Sequence, residues 1–314
     1  MPVRREFPAF AKILVYLVAA FVAGALVAPP IFWGGQALAA AGVSDWLAGF
    51  PFHRVLSRCL QVSALVLLVP ALWWMGLRRP SDLYLRRNSL AVADLLCGLL
   101  LSIVLVAAVA FLGLTAGWFQ WRTGIAWSGL GRIVPTAAVV AVVEEVALRG
   151  VVLGLCLWSL PRFAAIFLTT SLFAVVHFIK PAKTDIAPEA VRWSSGFAEA
   201  FRFTETLPPA TLLFFGLASL FVAGWILASA ALRTRSLWLP IGLHAGWVLS
   251  QQTTNLALQS TSAGASGWLP WLGPNLVSGS VPTGLVPLVA LSLTGLLVGL
   301  YLRHVFRPVA TQVV

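Results

Sequence analysis

Charged side chains are scarce in this 314-residue chain, where they make up 10% of the residues. An average soluble protein contains roughly 25%. Acidic groups are the scarcest, with 10 Asp and Glu against 21 Lys and Arg. The three cysteines, Cys59, Cys97 and Cys156, show no C-x-x-C spacing. The shortage of charge argues against a soluble domain, and the cysteines predict neither a disulfide framework nor a zinc knuckle.

The formal net charge of +11 does not predict nucleic-acid binding. The Lys and Arg residues are scattered, often in pairs, between apolar segments, and they form no basic face interleaved with aromatic residues. This distribution is typical of a membrane protein, in which Lys and Arg set the topology and contact lipid. The expected partner is therefore the lipid bilayer and not a nucleic acid.

The chain is rich in long apolar runs. Apolar residues make up 60% of the chain, and its mean hydropathy is +0.92. Runs of about 20 residues, the length that crosses the hydrocarbon core as a helix, recur along the whole sequence. We predict an all-α fold, a polytopic transmembrane helical bundle that forms a single integral membrane domain over residues 1–314. The eight predicted spans are 10–38, 56–77, 90–114, 133–157, 163–180, 209–231, 237–256 and 281–303.

The basic residues predict how these spans are oriented. With the N-terminus inside, twelve basic residues lie on the inner side and eight on the outer side, in agreement with the positive-inside rule. We therefore expect a multi-pass protein of a bacterial inner membrane with both termini in the cytoplasm. The inner set is Arg4, Arg5, Lys12, Arg78, Arg79, Arg86, Arg87, Arg162, Arg233, Arg235, Arg303 and Arg307. The outer set is Arg54, Arg58, Arg122, Arg132, Lys180, Lys183, Arg192 and Arg202.

Three ionisable residues lie within the fourth span, in the run VVEEVALRG. A charge at the bilayer centre costs at least about 2.5–3.5 kcal/mol, so these side chains need a compensating interaction. Glu145 and Arg149 are four residues apart on one helix face and are predicted to form an ion pair. Glu144 is rotated by about 100° from Glu145 and has Leu148 at its i+4 position. It therefore needs a partner elsewhere.

Two of the four histidines also lie within predicted spans. His177 lies near the end of the fifth span and follows Phe173 by four residues. His244 lies in the seventh span in the run LPIGLHAGW. With Glu144, these residues place one carboxylate and two imidazoles on three helices of one bundle. Such a set can bind and activate a water molecule, with Glu144 as the general base. The pattern indicates hydrolysis.

These residues resemble three motifs of the CPBP family. The family comprises the CAAX prenyl endopeptidases of the Ras-converting type and bacterial bacteriocin-processing and immunity proteins. The resemblance covers a core of approximately residues 130–256. The matching motifs are Glu-Glu-x-x-x-Arg (Glu144, Glu145, Arg149), Phe-x-x-x-His (Phe173, His177) and a later histidine in the run LPIGLHA (His244).

The resemblance implies an intramembrane endopeptidase of the CAAX-processing type, acting on a membrane-embedded or lipidated protein or peptide. It implies that Glu144 and His177 activate the attacking water and that His244 helps to stabilise the oxyanion. Glu145 and Arg149 would hold the first motif helix in register. The second-motif Phe173 is a further supporting residue.

One position departs from the family pattern. The family has Asn or Asp four residues after the third histidine, where this chain has Val248, which cannot donate a hydrogen bond to an oxyanion. Gln251 and Asn255 lie about 10 and 16 Å further along the helix axis and are poor substitutes. Val248 supports one alternative, a catalytically inactive member with a membrane binding or immunity-type role. A proton-coupled transporter is another, because intramembrane Glu and His also form proton relays.

The expected mechanism uses no cofactor. The family has been described both as zinc metalloproteases and as glutamate proteases, and the second description is preferred here because the histidines have no evident carboxylate partner apart from the paired Glu145. A zinc ion is the alternative, with Glu144, His177 and His244 as three ligands and an open fourth position.

Other polar segments receive structural interpretations. Residues 180–208 carry four basic and four acidic side chains and are predicted to form a solvated loop, with a gate over the site as the alternative. Asp94 is interpreted as a helix-terminus or interfacial acid, with a polar lining role as the alternative. Along the predicted spans, Glu144 lies near mid-membrane, His177 near the outer end of its helix and His244 nearer the inner third. The depths of the three site residues therefore disagree.

Overall fold

The computed structural model of the chain describes residues 9–79, 89–179, 186–261, 267–274, 276 and 281–305. Helices dominate these residues, and two short strands, β1 (Phe119–Trp121) and β2 (Leu258–Ser260), pair antiparallel. A π-helical segment, Val146–Val152, joins the helices Leu130–Glu145 and Leu153–Ser159 without a break. The helices are α1 (Ala9–Ala40), α2 (Asp45–Ala48), α3 (Phe52–Met75), α4 (Ala91–Thr115), α5 (Leu130–Glu145), α6 (Leu153–Ser159), α7 (Arg162–Val176), α8 (Ser195–Phe201), α9 (Ala210–Thr234), α10 (Trp238–Ala257) and α11 (Leu285–Val305).

Every predicted span contains a helix, which confirms the all-α polytopic bundle. The protein is an integral, multi-pass membrane protein. Three predicted spans contain helices that are too short or too polar to meet the criterion for crossing a membrane, and these are the spans with the motif residues. Helices α5 and α7 are short, and α10 contains several polar side chains. In the described part of the chain, five helices are long and apolar enough to cross a membrane: Ala11–Ala40, Phe52–Met75, Ala91–Thr115, Ala210–Thr234 and Leu285–Val305.

The chain divides into two compact units by the contacts within it. The first comprises Met1–Arg78 and Val175–Pro208, and the second comprises Arg79–Ala174 and Pro209–Val314. The single membrane domain and the cytoplasmic termini stay predictions. Several charged residues used in the sequence analysis lie outside the described residues: Arg4, Arg5, Arg86, Arg87, Lys180, Lys183, Asp185 and Arg307.

The first unit is built on α1 and α3, with α8 packed against the middle of α1. The glycine at position 196 allows this approach, because a Cβ atom there would collide with the backbone carbonyl of Ala25. Two phenylalanines of α8 pack edge-on against Phe21, with ring centroids 5.9 Å (Phe197) and 5.6 Å (Phe201) away. The buried core of this unit consists of Ala28, Phe32, Phe52, Leu56, Cys59, Val191 and Ala200.

The prediction of a solvated loop over residues 180–208 is therefore wrong for its central part. Val191 is 3% exposed and Glu199 is 4% exposed. Glu199 remains charge-compensated, because Arg202 donates to its carboxylate at 3.1 Å. Arg202 also donates to Glu205, and this lowers the pKa of the exposed Glu205 carboxyl below its ordinary value. The segment is a packed element of the first unit.

In the second unit, glycines allow α4 and α10 to approach closely. A Cβ atom at Gly98 would lie 2.6 Å from the carbonyl oxygen of Leu239, and one at Gly246 would lie 2.6 Å from that of Leu99. Gly242 lies against the backbone of α4 in the same way. Small residues permit such approaches between membrane helices, where packing replaces the hydrophobic effect as the main driving force. The contact turns the opposite face of α10 away from α4, and His244 lies on that face.

A buried acidic residue links α4 to α11 through a hydrogen bond. Asp94 has no exposed surface, and the Tyr301 hydroxyl donates a hydrogen bond of 2.7 Å to its Oδ1 atom. The interpretation of Asp94 as an acid near a helix terminus is confirmed, because it is the fourth residue of α4. Its burial was not predicted, since the partner lies 207 residues away in the sequence.

Substitution of Gly98 by alanine should destabilise the second unit, because the new methyl group would contact backbone atoms that cannot move aside. Overpacking of this kind costs about 1–3 kcal/mol. Gly299→Ala in α11 is the matched control, since a Cβ atom there meets nothing within 4 Å. Thermal unfolding in detergent should show a lower midpoint for Gly98→Ala alone. Equal midpoints for the two variants would contradict the close packing of α4 on α10.

Candidate active site

The first motif lies where α5 passes into the π-helical segment. Glu144 and Glu145 end α5, and Arg149 lies within the π segment Val146–Val152. A π turn is rare and inserts an extra residue into the helix, and such turns are common at functional sites. The π segment keeps the helix continuous while it changes which residues share a face.

The predicted ion pair between Glu145 and Arg149 is confirmed. Arg149 Nη1 donates to Glu145 Oε1 at 2.8 Å, and both side chains have no exposed surface. Arg149 also donates from Nη2 to the carbonyl oxygen of Gly224 at 3.3 Å, and its guanidinium carbon lies 4.6 Å from the centre of the Phe173 ring. The guanidinium is thus held by a carboxylate, a backbone carbonyl and an aromatic face.

Gly224 was missed by the sequence analysis. Gly224 contributes its carbonyl oxygen as a hydrogen-bond acceptor. It also leaves room for its neighbours, because a Cβ atom there would lie 3.0 Å from Phe173 Cδ1 and 3.0 Å from Thr170 Cγ2. A backbone acceptor leaves no signal in the identity of the residue. The apolar run around it gave no reason to choose this glycine over the others in α9.

His244 is the third element of the site and lies between the two glutamates. Its Nδ1 atom is 2.7 Å from Glu145 Oε1, and its Nε2 atom is 3.8 Å from Glu144 Oε2. The residue is 6% exposed, and its ring packs edge-on against Phe173 at 6.1 Å. Glu145 therefore does more than pair with Arg149, because the same oxygen also orients the imidazole.

Glu144 is the accessible member of this group. Its side chain is 34% exposed, whereas that of Glu145 is fully buried. The partner that the sequence analysis required for Glu144 on another helix is His244 on α10. The expected disagreement in depth is therefore wrong for Glu144 and His244. A residue's position within an apolar run predicts its depth in the membrane only if the helix begins at the membrane surface. The position of α10 along its axis is set instead by its packing on α4, so its apolar run did not give the depth of His244.

The other residues considered in the sequence analysis are His177, Val248, Gln251 and Asn255. His177 is half-buried and follows the last residue of α7, and it belongs to the first compact unit. Its role with Glu144 stays a prediction. Val248 is half-buried on α10. Gln251 donates to the carbonyl oxygen of Leu276 at 2.7 Å and to Asn255 Oδ1 at 3.3 Å, so these two residues have structural contacts of their own.

Comparison with known proteins identifies the segment that carries the site. Residues 126–250 match the family described as type II CAAX prenyl endopeptidase Rce1-like. This segment therefore resembles the Rce1-like family. The match contains all three motifs, and it confirms the resemblance to the CPBP family within the predicted core of residues 130–256. No curated protein and no solved structure matches the chain.

A metal ion requires more ligands than the Rce1-like site brings together in the second unit. A zinc site with an open position uses three protein ligands, and Glu144 and His244 supply two. Among the described residues, no three His, Cys, Asp or Glu side chains form a group able to hold a metal ion. We therefore derive no step through a metal, and the zinc alternative is left to the chelation experiment below.

Replacement of Arg149 by leucine should destabilise the Rce1-like segment strongly. It leaves the buried Glu145 without its cation, and breaking a buried pair in this way costs about 3–5 kcal/mol. Adding Glu145→Gln should recover part of the loss, because the uncompensated charge is then removed. Thermal unfolding in detergent measures both variants.

The control for this prediction is Arg192→Leu, which removes an exposed arginine that donates to the backbone carbonyl oxygen of Glu189. Its loss should lower the midpoint much less, because it takes the cation from no buried carboxylate. A smaller effect from Arg149→Leu than from Arg192→Leu would show that the buried pair contributes little to stability.

Proposed function

We propose that the chain is an intramembrane endopeptidase that hydrolyses a peptide bond in a membrane-embedded or lipidated protein or peptide. The observation that carries the proposal is the position of His244, buried between a fully buried glutamate and a partly accessible one. The Rce1-like match supports the same reaction class. Glu144 is then the general base, and His244 is the group that stabilises the oxyanion.

The position of the His244 ring suits a hydrogen-bond donor at the proposed site. Its Nδ1 atom lies 2.7 Å from Glu145 Oε1, which fixes the orientation of the imidazole. Its Nε2 atom lies 3.8 Å from Glu144 Oε2, so a proton on Nε2 would face the proposed base and an oxyanion formed beside it.

The proposed reaction follows from this arrangement. Glu144 removes a proton from a water molecule, and the resulting hydroxide adds to the carbonyl carbon of the scissile bond. The Nε2–H group of His244 donates to the oxyanion that forms. Glu144 then passes its proton to the leaving amine nitrogen as the C–N bond breaks. His177, as the second motif implies, would help to position the water.

Val248 makes this oxyanion site poorer than the family pattern. Removal of one oxyanion donor costs roughly 10²–10³ in kcat in other hydrolases, so a slow enzyme is expected here. The same residue favours a second candidate function, in which a non-catalytic chain binds its target without cleaving it. Cleavage by the purified protein separates the two.

Glu144→Gln should abolish cleavage without unfolding the protein, because the amide keeps the shape of the side chain and cannot accept a proton. General base catalysis contributes roughly 10²–10⁴ in rate, and a loss of that size in kcat/KM is expected. His177→Gln and His244→Gln should also reduce kcat/KM. The measurement is cleavage of a membrane-peptide library by the full chain in detergent.

The controls are Glu189→Gln and His304→Gln, which change the same residue types at exposed positions outside the site. Both should cleave like the wild type. Cleavage that persists in Glu144→Gln would sink the assigned base, and no cleavage by the wild type would favour the binding function. Loss of activity with a chelator, followed by recovery with zinc, would replace the metal-free mechanism by a zinc-dependent one.

A further inference from the structure

The first compact unit contains a large cavity that the proposed peptidase reaction does not use. Its volume is about 880 Å³, and it lies beside α1 and the start of α3. One part of its wall is apolar, with Phe32, Leu47 and Phe50 among the lining residues. Another part is basic, because Arg54 and Arg58 of α3 line the same cavity. An apolar wall beside two cations is typical of a site for an anionic amphiphile.

Among the residues that the structure describes, no acidic side chain pairs with either arginine. The side chain of Arg58 donates to the neutral Gln61 at 2.8 Å, and the guanidinium of Arg54 forms no ion pair or hydrogen bond with any described residue. Both lie in the first two turns of α3, whose first turn contains no acidic residue. The N-terminus of a helix carries a partial positive charge, so two arginines there are unfavourable unless an anion offsets them.

Aromatic residues place this end of the unit at the membrane surface. Trp46 in α2 is 72% exposed, and the rings of Trp33 and Trp193 pack edge-on at 5.0 Å. Tryptophans mark the level of the lipid headgroups. Because α3 begins at Phe52 and is a candidate span, Arg54 and Arg58 lie about 3 and 9 Å along the helix axis from its start. That is the depth of phosphate and glycerol groups.

We propose that this cavity binds an anionic phospholipid of the surrounding bilayer. The phosphate is held by Arg54 and Arg58, which form charge-assisted hydrogen bonds with its oxygens. The first part of an acyl chain lies against Phe32, Leu47 and Phe50. The net negative charge of the headgroup offsets part of the positive charge of the two arginines. A zwitterionic lipid has no net charge and would offset it less.

The test is the thermal unfolding of the full chain in detergent with added lipid. Short-chain phosphatidylglycerol should raise the unfolding midpoint of the wild type, and phosphatidylcholine of the same chain length should raise it less. The double variant Arg54→Gln/Arg58→Gln should lose the response, with an apparent Kd for phosphatidylglycerol at least tenfold weaker. The control Arg132→Gln/Arg162→Gln removes the same charge from exposed positions outside the cavity and should keep the response.

A second pair of variants tests the cavity itself. Gly34 and Gly35 are neighbours in α1, and a Cβ atom at either position meets nothing within 4 Å, but only Gly35 lines the cavity. Gly35→Leu should fill part of the cavity and weaken phosphatidylglycerol binding. Gly34→Leu makes the same substitution outside it and should leave binding unchanged.

Three results would overturn the proposal. Equal responses to the two lipids would remove the role of headgroup charge. An equal response to inorganic phosphate alone would make the cavity a site for a free anion. Displacement of the lipid by a peptide with a free terminal carboxylate, and not by its amide, would assign the cavity to the end of a peptide. Cleavage activity is not used as a readout, so these results are independent of the proposed peptidase function.

Discussion

The need to compensate two fully buried charges governs the architecture around the site. Glu145 and Arg149 have no exposed surface, and an uncompensated charge within the bilayer is expensive. The guanidinium consequently donates a hydrogen bond to the carbonyl oxygen of Gly224 and lies over the face of Phe173. The carboxylate forms a hydrogen bond with His244. The buried charges and their partners therefore hold in place the side chains that are proposed to act in catalysis.

Local spacing made part of this structure predictable. The pairing of Glu145 with Arg149 follows from their four-residue separation, and each predicted span follows from an uninterrupted apolar run. The three motifs also indicated the resemblance to the CPBP family, which the Rce1-like match confirms for residues 126–250. Each of these inferences uses information that lies close together in the sequence or in a recurring pattern.

Contacts between distant segments were not predictable in the same way. The hydrogen bond between Glu145 and His244 joins residues 99 positions apart, and it depends on glycines that let α10 approach α4 closely. The packing of α8 on α1 was missed because its charged residues suggested a solvated loop, while the decisive feature is the absence of a side chain at Gly196. Hydropathy depends only on the composition of a segment. It does not indicate which helices pack with their backbones in contact.

The double use of Glu145 Oε1 also has a consequence for the order in which the protein is made. During synthesis, Arg149 emerges four residues after Glu145, so the carboxylate enters the membrane with its cation already on the same helix. His244 emerges much later, after α7 and α9 have been made. Arg149 therefore neutralises Glu145 while the helix inserts into the membrane. The His244 imidazole forms its hydrogen bond later, to a carboxylate that is already paired.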